Sequence, residues 1–161
     1  KILSHSGFSP QHMQNFPEQS PHDIGIIQLK KNAPKKFKPV KIANRTFLNG
    51  DKVVLAGFGL TGFFARKTGT LRKVETFINR ELPNAREIVF GPTPGKSACK
   101  GDSGGPMYYQ GQAGKLFLVG VTSRGMRGRT NDNGRPIGCV GEGFYTSAQG
   151  HLAFINENKF Q

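Results

Sequence analysis

Short β-prone runs, separated by turn-forming residues, are the feature that most constrains how this chain can fold. The 22 glycines and 10 prolines are spread over all 161 residues and repeatedly interrupt the apolar runs. Short strands at this spacing are typical of an all-β barrel or sandwich. We predict strands at 24–29, 52–56, 70–78, 88–90 and 116–122. One helix is predicted near the C-terminus, where Ser147 can act as the cap and Leu152 and Ile155 share a face.

The net charge of +13 is the second prominent feature. Basic residues cluster at 30–38, 66–73 and 124–129, which favours association with anionic polymers such as nucleic acid or heparin-like chains. No recognition helix accompanies the charge, and a basic solvated surface is the simpler interpretation. No apolar run is long enough for a transmembrane helix, so we expect no membrane span.

Residues 99–106, Cys-Lys-Gly-Asp-Ser-Gly-Gly-Pro, carry the strongest functional signal. A serine flanked by glycines on a tight loop can expose its hydroxyl for attack on a carbonyl group. Glycines also allow successive backbone N–H groups to point toward one position, which is how an oxyanion hole is built. An ordinary glycine-rich turn rarely combines so many specified residues. Ser103 is therefore a candidate nucleophile.

This segment resembles the nucleophile signature of the trypsin/chymotrypsin-like serine protease family, including the cysteine four residues before the serine. The resemblance implies that Ser103 is the nucleophile and that the amides of Gly101 and Ser103 are the oxyanion donors. It also implies that Asp102 forms an ion pair with a newly cut N-terminal amine on activation. We do not expect Lys1 to be that terminus, because the residues after it resemble an internal strand.

Residues 22–29, His-Asp-Ile-Gly-Ile-Ile-Gln-Leu, resemble the family's Asp-Ile-Ala-Leu-Leu-x-Leu stretch. In that stretch the aspartate orients the catalytic histidine. An aspartate at the start of a strand is otherwise usually a turn residue. Since Asp23 precedes Ser103 in the family's chain order, the resemblance implies that it is the triad aspartate. We do not expect His22 to be the base, because Asp23 cannot point back at its neighbour from an alternating strand.

Weaker matches extend over most of the chain and imply the substrate-binding residues. Ser123 falls on the strand along which the substrate backbone pairs, and it is also expected to support Asp23. Ser97 falls at the base of the specificity pocket, with Gly125 and Gly143 on its walls. This combination implies an open pocket that accepts large apolar side chains. Glu142 beside the pocket could instead favour Lys or Arg.

Cys99 and Cys139 alone could be two free thiols or one disulfide. The family's register implies that they pair. Such a disulfide would stabilise the fold by about 4 kcal/mol in the chain-entropy account. It would also place the protein in an oxidising compartment, so we expect a secreted or periplasmic protein.

The resemblance implies a trypsin-like double β-barrel, of which this chain holds the end of the first barrel, the whole second barrel and a C-terminal helix. We assign residues 1–30 to the remainder of the first barrel, with the triad aspartate, and 31–50 to a linker. Residues 51–147 form the second barrel, with the nucleophile and the specificity pocket. Residues 148–161 form the helix.

The family's catalytic histidine, on an Ala-Ala-His-Cys segment upstream of the aspartate, has no match here. His5 matches a non-catalytic position, and we expect His12 to lie in an extended surface loop. Without an imidazole base, this chain alone is predicted to be inactive. We favour an enzyme that cleaves peptides or proteins, because Ser103, Asp23 and Gly101 are retained together. An N-terminal fragment of the same protease would then supply the histidine. The alternative is a non-catalytic basic homologue that binds anionic partners.

Residues 57–62, Gly-Phe-Gly-Leu-Thr-Gly, also satisfy the dinucleotide-binding pattern and follow a predicted strand. The motif requires a helix directly after these residues, but Thr68 and Gly69 would end such a helix after only a few residues. We therefore expect no nucleotide cofactor. No cysteine pattern indicates a metal ligand set, and we expect no metal.

Overall fold

The computed structural model describes residues 1–15, 22–62, 65, 67–82, 86–91, 96–125, 139 and 141–159. Within these ranges the strands are β1 (Ile2–Ser4), β2 (Gly25–Ile27), β3 (Lys41–Ile42), β4 (Lys52–Gly57), β5 (Arg72–Glu81), β6 (Glu87–Phe90), β7 (Pro106–Gln110), β8 (Leu116–Gly125) and β9 (Gly143–Ser147). The α-helices are α1 (Pro10–Asn15) and α2 (Leu152–Glu157). No helix in the described ranges is long and apolar enough to cross a membrane.

Six antiparallel strands close into a barrel. Their order is β8-β7-β4-β5-β6-β9, and β9 pairs back onto β8. Strand β3 adds to β8 in parallel, with Lys41 opposite Phe117. Strands β1 and β2 form a separate antiparallel pair, with Leu3 opposite Ile26. The predicted all-β architecture is thus confirmed, and of the two alternatives it is the barrel.

The barrel interior is filled by apolar side chains that alternate along the strands. Val53 and Leu55 of β4 pack there with Ile78 of β5 and Met107 of β7, each at most 4% exposed. The alternation follows from the two-residue period of a strand, which sends every second side chain to one face. The predicted strand at 52–56 is confirmed for the same reason.

Strands β6 and β9 are buried on both faces, which matters for the site described below. Tyr145 of β9 belongs to the interior cluster. On the opposite face, Phe144 lies beneath the guanidinium of Arg124, and the Thr146 hydroxyl donates to the backbone oxygen of Asp23 at 2.9 Å. The chain around Asp23 therefore rests on the outer face of β9.

Two local structures differ from the sequence-based expectations. His12 lies in α1 and not in an extended loop, because Ser9 accepts a hydrogen bond from the His12 amide and Pro10 occupies the first helical position. At the C-terminus, a 3₁₀ turn at Gln149–His151 precedes α2, which begins at Leu152. The N-cap of this turn is Ala148 and not the predicted Ser147, whose hydroxyl instead accepts from the Gly150 amide at 3.1 Å.

Candidate active site

Ser103 lies on a tight turn just before β7, and it is exposed. Gly101 (φ +91°) and Gly104 (φ +75°) flank it in the left-handed region that favours glycine. The turn is closed by two backbone hydrogen bonds, from Asp102 to Cys99 (3.0 Å) and from Gly105 to Asp102 (2.8 Å). The glycine spacing in the sequence therefore corresponds to a turn that presents the serine hydroxyl to solvent.

The carboxylate of Asp102 points away from solvent and ties this turn to the loop after β4. Its two oxygens accept from the Gly59 amide and the Cys99 amide, both at 2.8 Å. A Cβ at Gly59 would lie 2.6 Å from the carboxylate, and one at Gly57 would overlap it. Two of the three glycines of the dinucleotide-like pattern, Gly57 and Gly59, are thus explained by the space that Asp102 occupies.

Asp23 lies just before β2, and its carboxylate is held by β8. The Ser123 hydroxyl donates to Oδ2 of Asp23 at 2.7 Å. The expected support of Asp23 by Ser123 is therefore present as a direct contact. Asp23 precedes β2, so the alternation of a strand does not determine where its side chain points. The hydrogen bonds to Ser123 and Thr146 hold the residue in place instead.

The turn that carries Ser103 is hydrogen-bonded to Thr122, the residue before Ser123 on β8. The Gly104 amide donates to the carbonyl oxygen of Thr122 at 2.9 Å, and the Thr122 amide donates to Gly105 at 2.8 Å. Thr122 and Ser123 are consecutive on β8. One short stretch of strand thus positions both the turn that carries Ser103 and the carboxylate of Asp23.

Ser97 and Asp102 line one cleft of about 330 Å³, together with Gly59, Cys139 and Tyr145. The Ser97 hydroxyl donates to the Ala98 carbonyl oxygen at 3.2 Å. Burial is the main cause that raises the pKa of Tyr145 to about 12, so its phenol is neutral at physiological pH. Ser97 therefore lies beside Asp102 in this cleft, whereas Gly125 and Gly143, the predicted walls of its pocket, are not among the described residues that line it.

The two wall glycines lie opposite each other on β8 and β9 but have different surroundings. At Gly125, the nearest atom of the described residues to an added Cβ is a backbone oxygen of Glu142 at 3.7 Å. At Gly143, the ring of Phe90 occupies the position of a Cβ. A core phenylalanine therefore fills the space beside Gly143, and the open wall at Gly125 stays a prediction.

Glu142 does not turn toward the pocket. Its carboxylate accepts hydrogen bonds from Asn79 at 2.7 Å and from Arg80 at 2.9 Å, both on β5. The side chain is therefore held on the outside of the barrel.

A disulfide joins Cys99 and Cys139, the pair implied by the family register. It connects the segment before the nucleophile turn to the segment before β9. The chain between 126 and 138 lies outside the described residues.

Sequence reasoning missed a cluster of three histidines next to Asp23. His22 has a left-handed backbone (φ 76°), and its ring stacks on that of His5 with a centroid distance of 4.2 Å. Nδ1 of His22 lies 3.1 Å from Nε2 of His151, and Nε2 of His22 lies 2.9 Å from the Arg86 guanidinium. No spacing rule could have found this cluster, because its members come from distant parts of the chain.

The surroundings of the cluster disfavour protonated imidazole. Burial is the largest cause that lowers the pKa of His22 to about 4, followed by the neighbouring His5, His151 and Arg86. Burial also lowers the pKa of His151, against the hydrogen bond to the Ser147 carbonyl, which raises it. Both rings are therefore neutral at pH 7.

Comparison with known protein families gives one family model, described as Trypsin, which matches residues 1–151. The clotting factor G beta subunit of Tachypleus tridentatus is 33% identical over 150 residues, which cover 78% of this chain and 46% of that protein. Kallikrein-8 of Mus musculus is 31% identical over 128 residues, 72% of this chain and 47% of that protein. The chain spans about half the length of these relatives.

Solved structures give the same result for the fold. Neuropsin, described as a serine protease expressed in the limbic system of mouse brain, superposes with a TM-score of 0.71 at 26% identity. The match covers 98% of this chain and 69% of that one. A mutant of human heparin binding protein also gives a TM-score of 0.71, at 22% identity, which bears on the fold alone. The fold expected from the sequence resemblance is thereby confirmed.

Proposed function

Because the chain belongs to the trypsin-like serine protease family, we propose that it is the nucleophile-bearing part of a serine endopeptidase. The observation that carries the proposal is the joint anchoring on β8. Thr122 holds the turn of Ser103, and Ser123 holds the carboxylate of Asp23. A nucleophile and a triad aspartate must be fixed relative to each other, and consecutive residues of one strand supply that rigidity.

The proposed reaction is acyl transfer through Ser103. A histidine removes the proton from the Ser103 hydroxyl as its oxygen bonds to the substrate carbonyl carbon. The amides of Gly101 and Ser103 bind the oxyanion of the tetrahedral intermediate. Collapse breaks the C–N bond, the histidine gives its proton to the leaving amine, and water then hydrolyses the acyl-enzyme. Asp23 orients the histidine and stabilises its protonated form.

The histidine is proposed to come from a segment N-terminal to Asp23 that completes the first barrel. His5, His22 and His151 have ring partners within their own cluster, so none is offered as the base. The β1–β2 pair leaves apolar side chains uncovered: Ile2 is 74% exposed and Ile27 is 69% exposed. Such a surface is suited to packing against further strands. The relatives, about twice as long as their match to this chain, are consistent with such a segment.

Activation and specificity follow from the same assignment. Asp102 is proposed to receive the newly cut N-terminal amine in addition to the Gly59 and Cys99 amides. For the substrate, Ser97 offers no charge, and the open wall at Gly125 favours an apolar side chain at the cleavage site. Phe90 beside Gly143 reduces the depth of that space. The disulfide and the family together favour a secreted or periplasmic protein acting on proteins or peptides.

The test is labelling with a fluorophosphonate probe, read by intact mass. This chain alone is expected to remain unlabelled, because Ser103 lacks a base. The protein expressed together with its upstream coding sequence, and cut to release the activating N-terminus, is expected to gain one probe. Ser103→Ala should lose the label, whereas Ser6→Ala, which changes an exposed serine far along the chain, should retain it.

An activated, folded longer protein that does not react at Ser103 would contradict the peptidase assignment. The second candidate would then be favoured, a non-catalytic binder of anionic polymers. It is supported by the charge of +13 and by exposed lysines at 30, 31, 35, 36, 38 and 41. For that function, elution from a heparin column should shift strongly with salt concentration.

A further inference from the structure

One imidazole nitrogen from each of His5, His22 and His151 lies within 4.8 Å of the other two. We propose that this histidine cluster is a binding site for a transition-metal cation, with Zn²⁺ as the reference ion. Imidazole nitrogen suits zinc, copper and nickel, whereas calcium and magnesium prefer oxygen ligands. The proposal does not depend on the proposed peptidase function, because it concerns the cation and the three rings.

His151 is oriented as a ligand by its own surroundings. It is 3% exposed, and its Nδ1 lies 2.8 Å from the carbonyl oxygen of Ser147. A carbonyl only accepts, so Nδ1 carries the proton and Nε2 keeps its lone pair. That lone pair points toward His22 at 3.1 Å. A backbone carbonyl bound to the far ring nitrogen is the usual way that proteins fix the tautomer of a metal-binding histidine.

His22 places a proton where the cation would lie. The Arg86 guanidinium can only donate, so Nε2 of His22 accepts and Nδ1 carries the proton shared with His151. The two nitrogens are 3.1 Å apart. Two nitrogen ligands of a tetrahedral zinc ion are separated by a similar distance, about 3.4 Å. Zinc would take the position of that shared proton, which would move to Nε2 of the same ring.

Arg86 opposes this exchange in two ways. When Nδ1 of His22 binds the cation, the proton of the neutral ring moves from Nδ1 to Nε2, and a protonated Nε2 cannot accept from the guanidinium. The positive charge of Arg86 also repels the cation. Arg86 must therefore leave its position beside His22, and it is exposed enough to do so. Metal affinity should be limited by this displacement.

His5 supplies the third ligand after its ring turns out of the stack on His22, because two parallel rings cannot both direct their in-plane lone pairs at one cation. Its ring is stacked on His22 and stands edge-on to His151, with centroids 5.5 Å apart. Its Nδ1 accepts a hydrogen bond from the Gly7 amide at 3.0 Å, an exposed contact that would be exchanged on binding. Three neutral imidazoles leave a fourth tetrahedral position for water.

The test is calorimetric titration of Zn²⁺ into chelator-treated protein carrying Ser103→Ala, so that peptidase activity plays no part. One zinc per chain is expected, with no binding of Ca²⁺. His22→Asn should weaken affinity about tenfold or more. Asparagine tolerates the left-handed backbone at this position, so the variant is expected to fold. The matched control is His12→Asn in α1, which should bind like the parent.

A second variant tests the role of Arg86. Arg86→Gln removes the competing positive charge and replaces a group that only donates by an amide that can also accept, so it should tighten zinc affinity several-fold. Bound Co²⁺ should give the intense visible absorption of a four-coordinate site. The proposal is overturned if the parent protein binds no zinc. Equal affinity of the parent and His22→Asn would overturn it as well. Unchanged or weaker affinity in Arg86→Gln would contradict the displacement of Arg86.

Discussion

At the scale of single residues, Asp102 has a structural task that is separate from any role in activation. Its carboxylate accepts from Gly59 and Cys99, so two loops meet on one side chain. A partly buried carboxylate held by two backbone amides leaves little room for displacement. The residues that pack against it must be small, and the chain places Gly57 and Gly59 there.

Gly59→Ala is expected to lower the free energy of unfolding by about 1–3 kcal/mol, as overpacking does in a tight contact. The added Cβ would lie 2.6 Å from the Asp102 carboxylate and would displace it from the Gly59 amide. Urea denaturation measures the change. Gly62→Ala is the matched control, because an added Cβ there has no atom of the described residues within 4 Å. Similar losses in both variants would show that space around Asp102 is not the cause.

At the scale of elements, the three strands β6, β9 and β8 are joined by an ion pair that crosses the middle strand. Arg124 of β8 extends over the ring of Phe144, with its guanidinium carbon 4.3 Å from the ring centroid, and reaches Glu87 of β6. The two charged side chains are only 10% and 3% exposed. A buried pair of this kind costs much to desolvate, and breaking it leaves a buried charge without its counter-ion.

Glu87→Gln should therefore destabilise the protein by about 3–5 kcal/mol. Replacing both partners, with Glu87→Leu and Arg124→Met, should recover most of the loss, since no buried charge is then left. Unfolding free energies of the parent, Glu87→Leu, Arg124→Met and the double variant form a mutant cycle that measures the coupling. Glu75→Gln breaks the exposed pair with Lys52 and should change stability little. A large effect at Glu75, or none at Glu87, would contradict this account.

At the scale of the whole molecule, the barrel is held together by pairings between distant parts of the chain and by one cross-link. The disulfide ties residue 99 to residue 139, a sequence separation of 40. It restricts the unfolded chain over the segment that leads from the nucleophile turn to the last strand. Its main effect is therefore on stability.

Replacing both cysteines, by Cys99→Ser and Cys139→Ser, should lower the free energy of unfolding by about 4 kcal/mol through the larger entropy of the unfolded chain. Thermal unfolding followed by circular dichroism measures the loss. Reduction of the parent protein with dithiothreitol should lower its Tm to a similar extent. If the double variant is as stable as the oxidised parent, the cross-link does not stabilise the fold.

Much of the barrel could be predicted from sequence because its information is local. Alternation at 52–56 gave a strand that the structure confirms, and the glycines around Ser103 predicted its exposed turn. Strand β7 was not predicted. It begins with a proline and runs directly from the glycine-rich turn, so the sequence there has no clear alternation.

Features that depend on distant residues could not be predicted. The histidine cluster exists because the turn before β2 and the 3₁₀ turn after β9 meet in space. The filling of the space at Gly143 by Phe90 depends on the pairing of β6 with β9, which no local pattern encodes. Such features depend on contacts between residues that are distant in the chain, and these contacts cannot be read from a single sequence.

The closed strand order also has a consequence for how the protein emerges from the ribosome. Strand β6 needs β9 as its second neighbour, and β9 is synthesised more than fifty residues later. Until then the nascent barrel has two open edges, each able to pair with a neighbouring chain. We expect translation speed and chaperone access across this interval to determine how much of the protein folds correctly in the cell.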